Sequence, residues 1–316
     1  MKVISVFLIS LFCLVSTVSA DINNFREAKI KLKEHVYFER STDQGGTFYC
    51  GCDWRWVGQS GGRVDAASCG YQVRAQHNRA ERTEWEHVVP AWVMGHQRQC
   101  WQSGGRKSCR QTDPLFRIME ANPHNLVVSV GEINADRSNY QFGELPPSPS
   151  EYGQCQFQVD NKQRVATPRN SVKGQIARTY FYIHDRYDLR MSRQQQQLMI
   201  AWNNKYPVGQ WERKRDSRIA KIAGHHNPFV TGEQTWSLGH KNSAGGLNRV
   251  LHDNPKSLPP FQDNLLAVVR GNKNSNVYHL PEGCPSYNRV SPKNIVPFSS
   301  ETEAKAAGFL KAGNCR

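Results

Sequence analysis

Alternation of apolar and polar positions divides the chain into a short series of elements. Val3 to Val15 is a continuous apolar run behind the basic Met1-Lys2, closed by the small residues Val18-Ser19-Ala20. It falls short of the roughly 20 apolar residues a membrane span needs, so residues 1–20 are expected to be a signal peptide. Phe25 to Val36 reads as a helix, and Thr47 to Gly58 and Gly70 to Val73 as turn-rich short strands. Arg82 to Trp92 mixes β-branched and aromatic residues up to Pro90, which has no N–H for a ladder, so a strand should end there. Asn125 to Val130 is a second strand, running into the polar stretch Gly131 to Tyr140. On a helix in that stretch Asn134, Arg137 and Ser138 share a face. Leu145 to Ser150 is a proline-rich loop. Ser171 to Tyr187 and Ser192 to Tyr206 carry helical periodicity, with core faces formed by Ile176, Tyr180 and Ile183 and by Leu198, Met199 and Trp202.

From Val230 to Pro260 the chain turns rich in Gly, Ser, Asn and Pro and loses its periodicity, the mark of a linker. Beyond it, Leu265 to Arg270 and Asn276 to Leu280 read as strands joined by a turn at Gly271 to Asn274. Ser300 to Leu310 reads as a helix capped by Ser299 or Ser300, with Glu301 and Glu303 in its first turn. The expected organisation is a signal peptide (1–20), a main domain (21–229), a linker (230–260) and a small α+β C-terminal module (261–316). The fold class is α+β.

Nine cysteines are present, and Cys13 leaves with the signal peptide. The remaining Cys50, Cys52, Cys69, Cys100, Cys109, Cys155, Cys284 and Cys315 form an even set in an exported chain, which favours disulfides. Cys100 with Cys109, and Cys284 with Cys315, suit local pairing; the other four allow three pairings. No cysteine or histidine pair stands at zinc-finger spacing, so zinc is not expected.

A formal charge of +14 and a pI near 9.5 favour polyanionic partners. Arg98, Arg106, Lys107, Arg110 and Arg117 crowd the segment after Glu86-His87, and Arg213, Lys214, Arg215, Arg218 and Lys221 form a second cluster on a helix. The first cluster lies between the chemical candidates in sequence, which favours phosphate contact; the second reads equally well as a solvated face.

Those candidates are Glu86 and His87, a carboxylate beside a base that titrates near neutrality, and Asn134 on the polar helix. A regular strand directs Glu86 and His87 to opposite faces, so a shared site calls for a bend or bulge at the strand's end. The stretches Glu84-Trp85-Glu86-His87-Val88-Val89-Pro90-Ala91, Gly95-His96-Gln97-Arg98, Gly104-Gly105-Arg106-Lys107 and Asn134-Ala135-Asp136-Arg137-Ser138-Asn139 closely resemble the bacterial endonuclease I family, from about Ile22 to Pro228. The resemblance implies a ββα-metal (His-Me) finger with surrounding helices. It implies His87 as general base, Glu86 and Asn134 as ligands of one Mg²⁺ (a position Ca²⁺ or Mn²⁺ can also take), and Arg106 on the scissile phosphate. His124 and Glu132 are candidates to orient the site from behind. Arg98, Lys107, Arg110 and Arg137 are candidates for nucleic-acid contact, with Glu84, Trp85, His96 and Arg137 also suited to support. The expected activity is cutting of DNA, and of RNA as well, without sequence preference and leaving 5′-phosphates, by a periplasmic or secreted monomer. The tail resembles an accessory module at the ends of some bacterial nucleases, similar in shape to a metal-binding DNA-repair domain; with only two cysteines here, it lacks a zinc set. Two rival classes remain: a non-catalytic DNA-binding or uptake protein, and a hydrolase of another phosphodiester.

Overall fold

The computed structural model describes residues 22–42, 45–247, 269–291, 294–298 and 300–315, so the expected signal peptide lies outside the described residues. The larger unit begins with helix α1 (Phe25–His35), started by the Asn24 side chain, which accepts from the Glu27 amide. A β1/β2 hairpin (Trp54–Val57, Gly61–Val64) and α2 (His77–Ala80) lead into β3 (Thr83–His87). Four short helices follow: α3 (Ala91–Gly95), α4 (Gln99–Gln102), α5 (Gly105–Thr112) and α6 (Pro114–Glu120). Next come β4 (Leu126–Val130) and α7 (Gly131–Arg137). A small sheet of β5 (Gln141–Phe142), β6 (Gln158–Asp160) and β7 (Val165–Thr167) precedes α8 (Asn170–Arg186), α9 (Arg193–Lys205), α10 (Gln210–Ala223) and α11 (Pro228–Thr231).

Strands β3 and β4 pair antiparallel with Thr83 opposite Val130 and His87 opposite Leu126. Every residue of β4 is buried, which explains why Leu-Val-Val-Ser-Val is apolar almost throughout instead of alternating: both faces are covered. Trp85, Leu126 and Val128 pack with Ala28 and Leu32 of α1 and Ile219 of α10. Val127 and Val130 pack on the other side with Ile133 of α7, Phe142, and Ile176 and Tyr180 of α8. The hairpin that carries Glu86 and His87 is thus held between two apolar layers.

The predicted helices at 171–187 and 192–206 are present as α8 and α9, but α8 is not amphipathic: it is buried on nearly every face. Its charged residues are tolerated there because each is paired, Lys173 with Glu144 at 2.7 Å, Arg178 with Glu212 at 2.6 Å and Asp185 with His240 at 2.7 Å. Gly174 is required where α8 meets the end of α9, since a Cβ there would lie 2.1 Å from the Tyr206 carbonyl oxygen.

Residues 232–247 correct the expected linker. Trp236 stacks on Phe181 at 5.1 Å, and Ser243 and Ala244 donate their amides to Asp185, so this stretch folds back on α8 despite its loop-like composition. Compact units divide between Val250 and Leu251, beyond the expected boundary at 230.

The smaller unit is a four-stranded sheet of β8 (Val269–Asn272), β9 (Val277–His279), β10 (Ile295–Phe298) and β11 (Leu310–Lys311) in the order β10-β8-β9-β11. A helix, Glu301–Ala306, is capped by Ser300, and its Ala304 packs on Val269, Tyr278 and Phe298.

Four disulfides form: Cys50–Cys155, Cys52–Cys69, Cys100–Cys109 and Cys284–Cys315. The two local pairs agree with the sequence reading, and the fold selects one of the three pairings left open. Because Cys50–Cys155 closes a separation of 105 residues and Cys100–Cys109 one of 9, removing the first should cost about 5 kcal/mol and the second about 3 kcal/mol. Urea unfolding of the two double-serine variants checks the order.

Candidate active site

His87 ends β3 with its imidazole buried against Phe25 of α1, ring centroids 4.8 Å apart. Its Nε2 donates to the Glu120 carbonyl oxygen at 2.8 Å. A carbonyl only accepts, so the proton is on Nε2 and the lone pair on Nδ1. Burial, and then the nearby Arg106 charge, pull the imidazole pKa down to about 3, so the ring is neutral at physiological pH.

A group of cations surrounds the same phenylalanine. Lys29 Nζ lies 4.8 Å from the Phe25 ring centre, and the guanidinium carbons of Arg106 and Arg110 each lie 5.6 Å from it. Glu120 sits between the two arginines, with Arg106 Nε at 2.5 Å and Arg110 Nε at 2.8 Å. Burial would raise the Glu120 carboxyl, but hydrogen bonds from Arg110 and Arg106 and their charges outweigh it and hold it below the ordinary range. Lys29 is pushed the other way, first by partial burial and then by repulsion from Arg110, Arg106 and Arg26. One carboxylate facing several cations leaves an electropositive surface beside His87.

The opposite face of the hairpin carries the carboxylates. Glu86 is buried, and the Tyr49 hydroxyl at 3.0 Å and Arg137 Nη1 at 3.3 Å both meet its Oε1. Burial dominates and raises its pKa, against the Arg137 charge and the Tyr49 bond. Two residues back on the same face, Glu84 accepts from Asn134 Nδ2 at 2.8 Å, Arg79 Nε at 3.0 Å and Arg82 Nη2 at 2.9 Å. Helix α7 therefore presents Asn134 to Glu84 and Arg137 to Glu86. The expected bend at the strand's end is not present: pairing stays regular through His87 and Leu126, and Glu86 and His87 have separate sets of partners on opposite faces. What the two share is Arg106, whose charge acts on both.

Several sequence candidates take other positions. Arg137 is 0% exposed and donates to the carbonyls of His87 and Val88, so it braces the strand's end and cannot reach a nucleic acid. Arg98 is paired with Asp113, the N-cap of α6, at 2.5 Å, its charge being met within the fold. Lys107 is exposed, and Arg110 is partly exposed beside Glu120. His124 is buried elsewhere: it donates to the His225 carbonyl at 3.1 Å and lies 3.6 Å from Asp216, without a bond to His87, Glu86, Asn134 or Arg106 among the described residues. Glu132 gathers the loop before α2, accepting from the Tyr71 hydroxyl and from the amides of Arg74, Ala75 and Gln76, and so acts on the scaffold. In the second basic cluster, Arg215 is buried against the carbonyls of Pro123, His124 and Leu126, and Arg218 and Lys214 meet Glu39.

Comparison with known proteins then gives the family. The model of the Endonuclease I family matches residues 24–233. The chain belongs to the endonuclease I family. It is similar to a periplasmic deoxyribonuclease of Aeromonas hydrophila, 50% identical over 185 residues, 58% of this chain and 77% of the relative. An extracellular deoxyribonuclease of the same organism is 46% identical over 224 residues, 69% of this chain and 94% of the relative. An Endonuclease-1 of Buchnera aphidicola is 42% identical over 210 residues, 66% of this chain and 81% of the relative.

In this endonuclease I chain the sequence reading missed Phe25, Lys29 and Glu120 as neighbours of His87. Phe25 and Lys29 stand at i and i+4 on α1, a spacing that puts them on one face without saying what that face meets. The bonds around Glu132 also yield a pH effect. Burial raises its carboxyl, yet the bonds from Tyr71 and the three amides outweigh it and hold the pKa below that of an unfolded glutamate. The stabilisation is full above the unfolded value and lost as pH falls through the folded one. Glu132→Gln should cost about 2–3 kcal/mol at neutral pH, and the gap from wild type should shrink on acidification below about pH 4, as urea unfolding at several pH values would show.

Proposed function

We propose that this chain is an exported, metal-dependent endonuclease that hydrolyses DNA, and RNA as well, without sequence preference, leaving 5′-phosphates in the periplasm or outside the cell. The observation that carries the reading is the His87 imidazole, neutral and fixed in one tautomer beside the Lys29, Arg106 and Arg110 charges. That arrangement offers a base next to a place for a phosphate.

His87 Nδ1 takes the proton of the attacking water, while the Glu120 carbonyl holds the ring and favours the imidazolium that forms. Arg106, partly exposed, turns its donors to the scissile phosphate; Glu120 keeps Arg110 as partner when Arg106 leaves it. Lys29 adds charge at the same surface. Water as nucleophile needs no 2′-hydroxyl, so the two sugars are treated alike.

Glu86 and Asn134 would hold Mg²⁺. The donor set is a carboxylate and an amide oxygen, both hard ligands. Glu84 accepts the Asn134 amide N–H, so Asn134 Oδ1 is turned away from it, and the bonds from Tyr49 and Arg137 meet only Oε1 of Glu86. Glu84 itself is neutralised by two arginines and suits orientation better than ligation. Among the described residues no three His, Cys, Asp or Glu side chains cluster for a metal, which fits an ion that keeps most of its water better than zinc. The chemistry such an ion supplies is neutralisation of charge developing on the departing 3′ oxygen. No helix among the described residues is long and apolar enough to cross a membrane.

His87→Ala should lower plasmid nicking by about 10²- to 10⁴-fold with folding and DNA binding kept, and EDTA should stop the wild type. Wild-type cutting by that variant, or binding without cutting by the wild type, would turn the assignment toward a DNA-binding protein. Glu84→Gln should raise the Mg²⁺ concentration for half-maximal rate by about 10-fold or more while the rate at saturating Mg²⁺ stays near wild type; an unchanged Mg²⁺ titration would remove Glu84 from its orienting role.

A further inference from the structure

A pocket of about 540 Å³ opens between α3, the chain after α7, the start of β7, and helices α8 and α9. Its volume is that of a small-ligand site. Pro90, three residues beyond His87, lines it, as does Tyr180, whose hydroxyl is 3.4 Å from Arg137 Nη2. The pocket therefore adjoins the brace that holds Glu86.

Three observations show what it is built to take. First, Trp92 is 43% exposed, and His96 stacks on it at 3.7 Å with the planes 7° apart, held by the bond between His96 Nδ1 and the Trp92 carbonyl. An exposed indole fixed in orientation is a stacking surface. Second, the Arg164 guanidinium lies 5.3 Å from the Tyr140 ring centre and is tied to Asn139 at 2.9 Å, adding a cationic wall. Arg164 sits at φ 57°, a left-handed backbone that a non-glycine residue adopts at a cost. Third, His184 Nε2 and Gln195 Nε2 are buried without hydrogen-bond partners, and both residues, each more than nine-tenths buried, line the pocket. His184 Nδ1 is bonded to the Leu189 carbonyl at 3.0 Å, so Nε2 carries the lone pair and accepts, whereas the Gln195 amide nitrogen donates. An unpaired buried polar group is costly and asks for a partner.

We propose that this pocket receives one unpaired nucleobase of the substrate strand, stacked on Trp92 and hydrogen-bonded along its edge by His184 and Gln195. The inference rests on the nuclease reading and extends it. A flat ring with a donor and an acceptor on one edge is the chemistry of a base outside a duplex. Stacking tolerates any base, which agrees with cutting without sequence preference. In a duplex the edges are occupied, so the pocket acts on single strands and on locally opened ones.

The test compares initial rates of the oxidised full-length protein on a short single-stranded oligonucleotide and on duplex plasmid, in Mg²⁺. Trp92→Ala should raise KM for the single strand by about 5- to 150-fold, the range for loss of one base–aromatic stack, and leave plasmid nicking within about twofold. Trp92→Tyr should restore most of the loss, and Gln195→Leu should raise the same KM less. Adenosine, a base without phosphate, should bind the wild type and not Trp92→Ala in a calorimetric titration, and inorganic phosphate should not compete with it. Equal losses on both substrates, an unchanged single-strand KM, or competition by phosphate would overturn the proposal, with thermal melts showing that each variant is folded. A wild type that cuts neither substrate would instead overturn the nuclease reading, and adenosine binding would still report on the pocket.

Discussion

The arrangement of the site depends on one buried guanidinium. Arg137, at the last turn of α7, donates to the carbonyls of His87 and Val88 and pairs with Glu86. A helix that merely follows a strand can lie at many angles to it; these bonds fix α7 across the end of β3. They also satisfy two carbonyls where the strand leaves its ladder and has no regular partner for them. A buried charge of this kind is held only by a nearly complete set of partners, and loss of one partner from such a pair costs about 3–5 kcal/mol. The conformation of the strand's end and the charge state of Glu86 are therefore set together.

The basic surplus of the chain divides into two uses. Arg98, Arg137, Arg178 and Arg215 are spent inside, bridging carboxylates and carbonyls that would otherwise be buried unpaired. Lys29, Arg106, Lys107 and Arg110 stay at or near the surface, where one glutamate meets two of them. A net charge counts both groups equally, although only the second can release counterions from a phosphate backbone. The neutral imidazole follows from the same surface: cations beside a buried histidine disfavour a further positive charge, which keeps the base unprotonated where a phosphate is attracted.

How much was legible in the sequence follows from which signals are local. The strands around Glu86 and Leu126, the helices at α1, α8 and α9, the capping by Ser300 and the short-range disulfides all rest on periodicity, caps or spacing within a few turns of chain, and each was readable. The burial of α8 on all sides was not, because pairing of Lys173, Arg178 and Asp185 with distant partners is invisible in a helical pattern. The 232–247 stretch misled for the converse reason: a loop composition says nothing about whether Trp236 finds an aromatic face to cover.

The sequence by itself determined the chemical inventory: an exported, disulfide-bonded, basic chain with a Glu-His pair on a strand and an asparagine on the helix after the next strand, in the order of the endonuclease I family. Only the tertiary structure decided which groups meet. It set Asn134 against Glu84, gave Glu86 to Arg137, and brought the Glu120 carbonyl and the α1 cations to His87. The physical reason is range. Propensity and periodicity act over a few residues, whereas a pKa, a tautomer or the direction of an amide is set by atoms a few ångströms away that lie 33 residues along the chain for the Glu120–His87 bond and 50 for Asn134–Glu84.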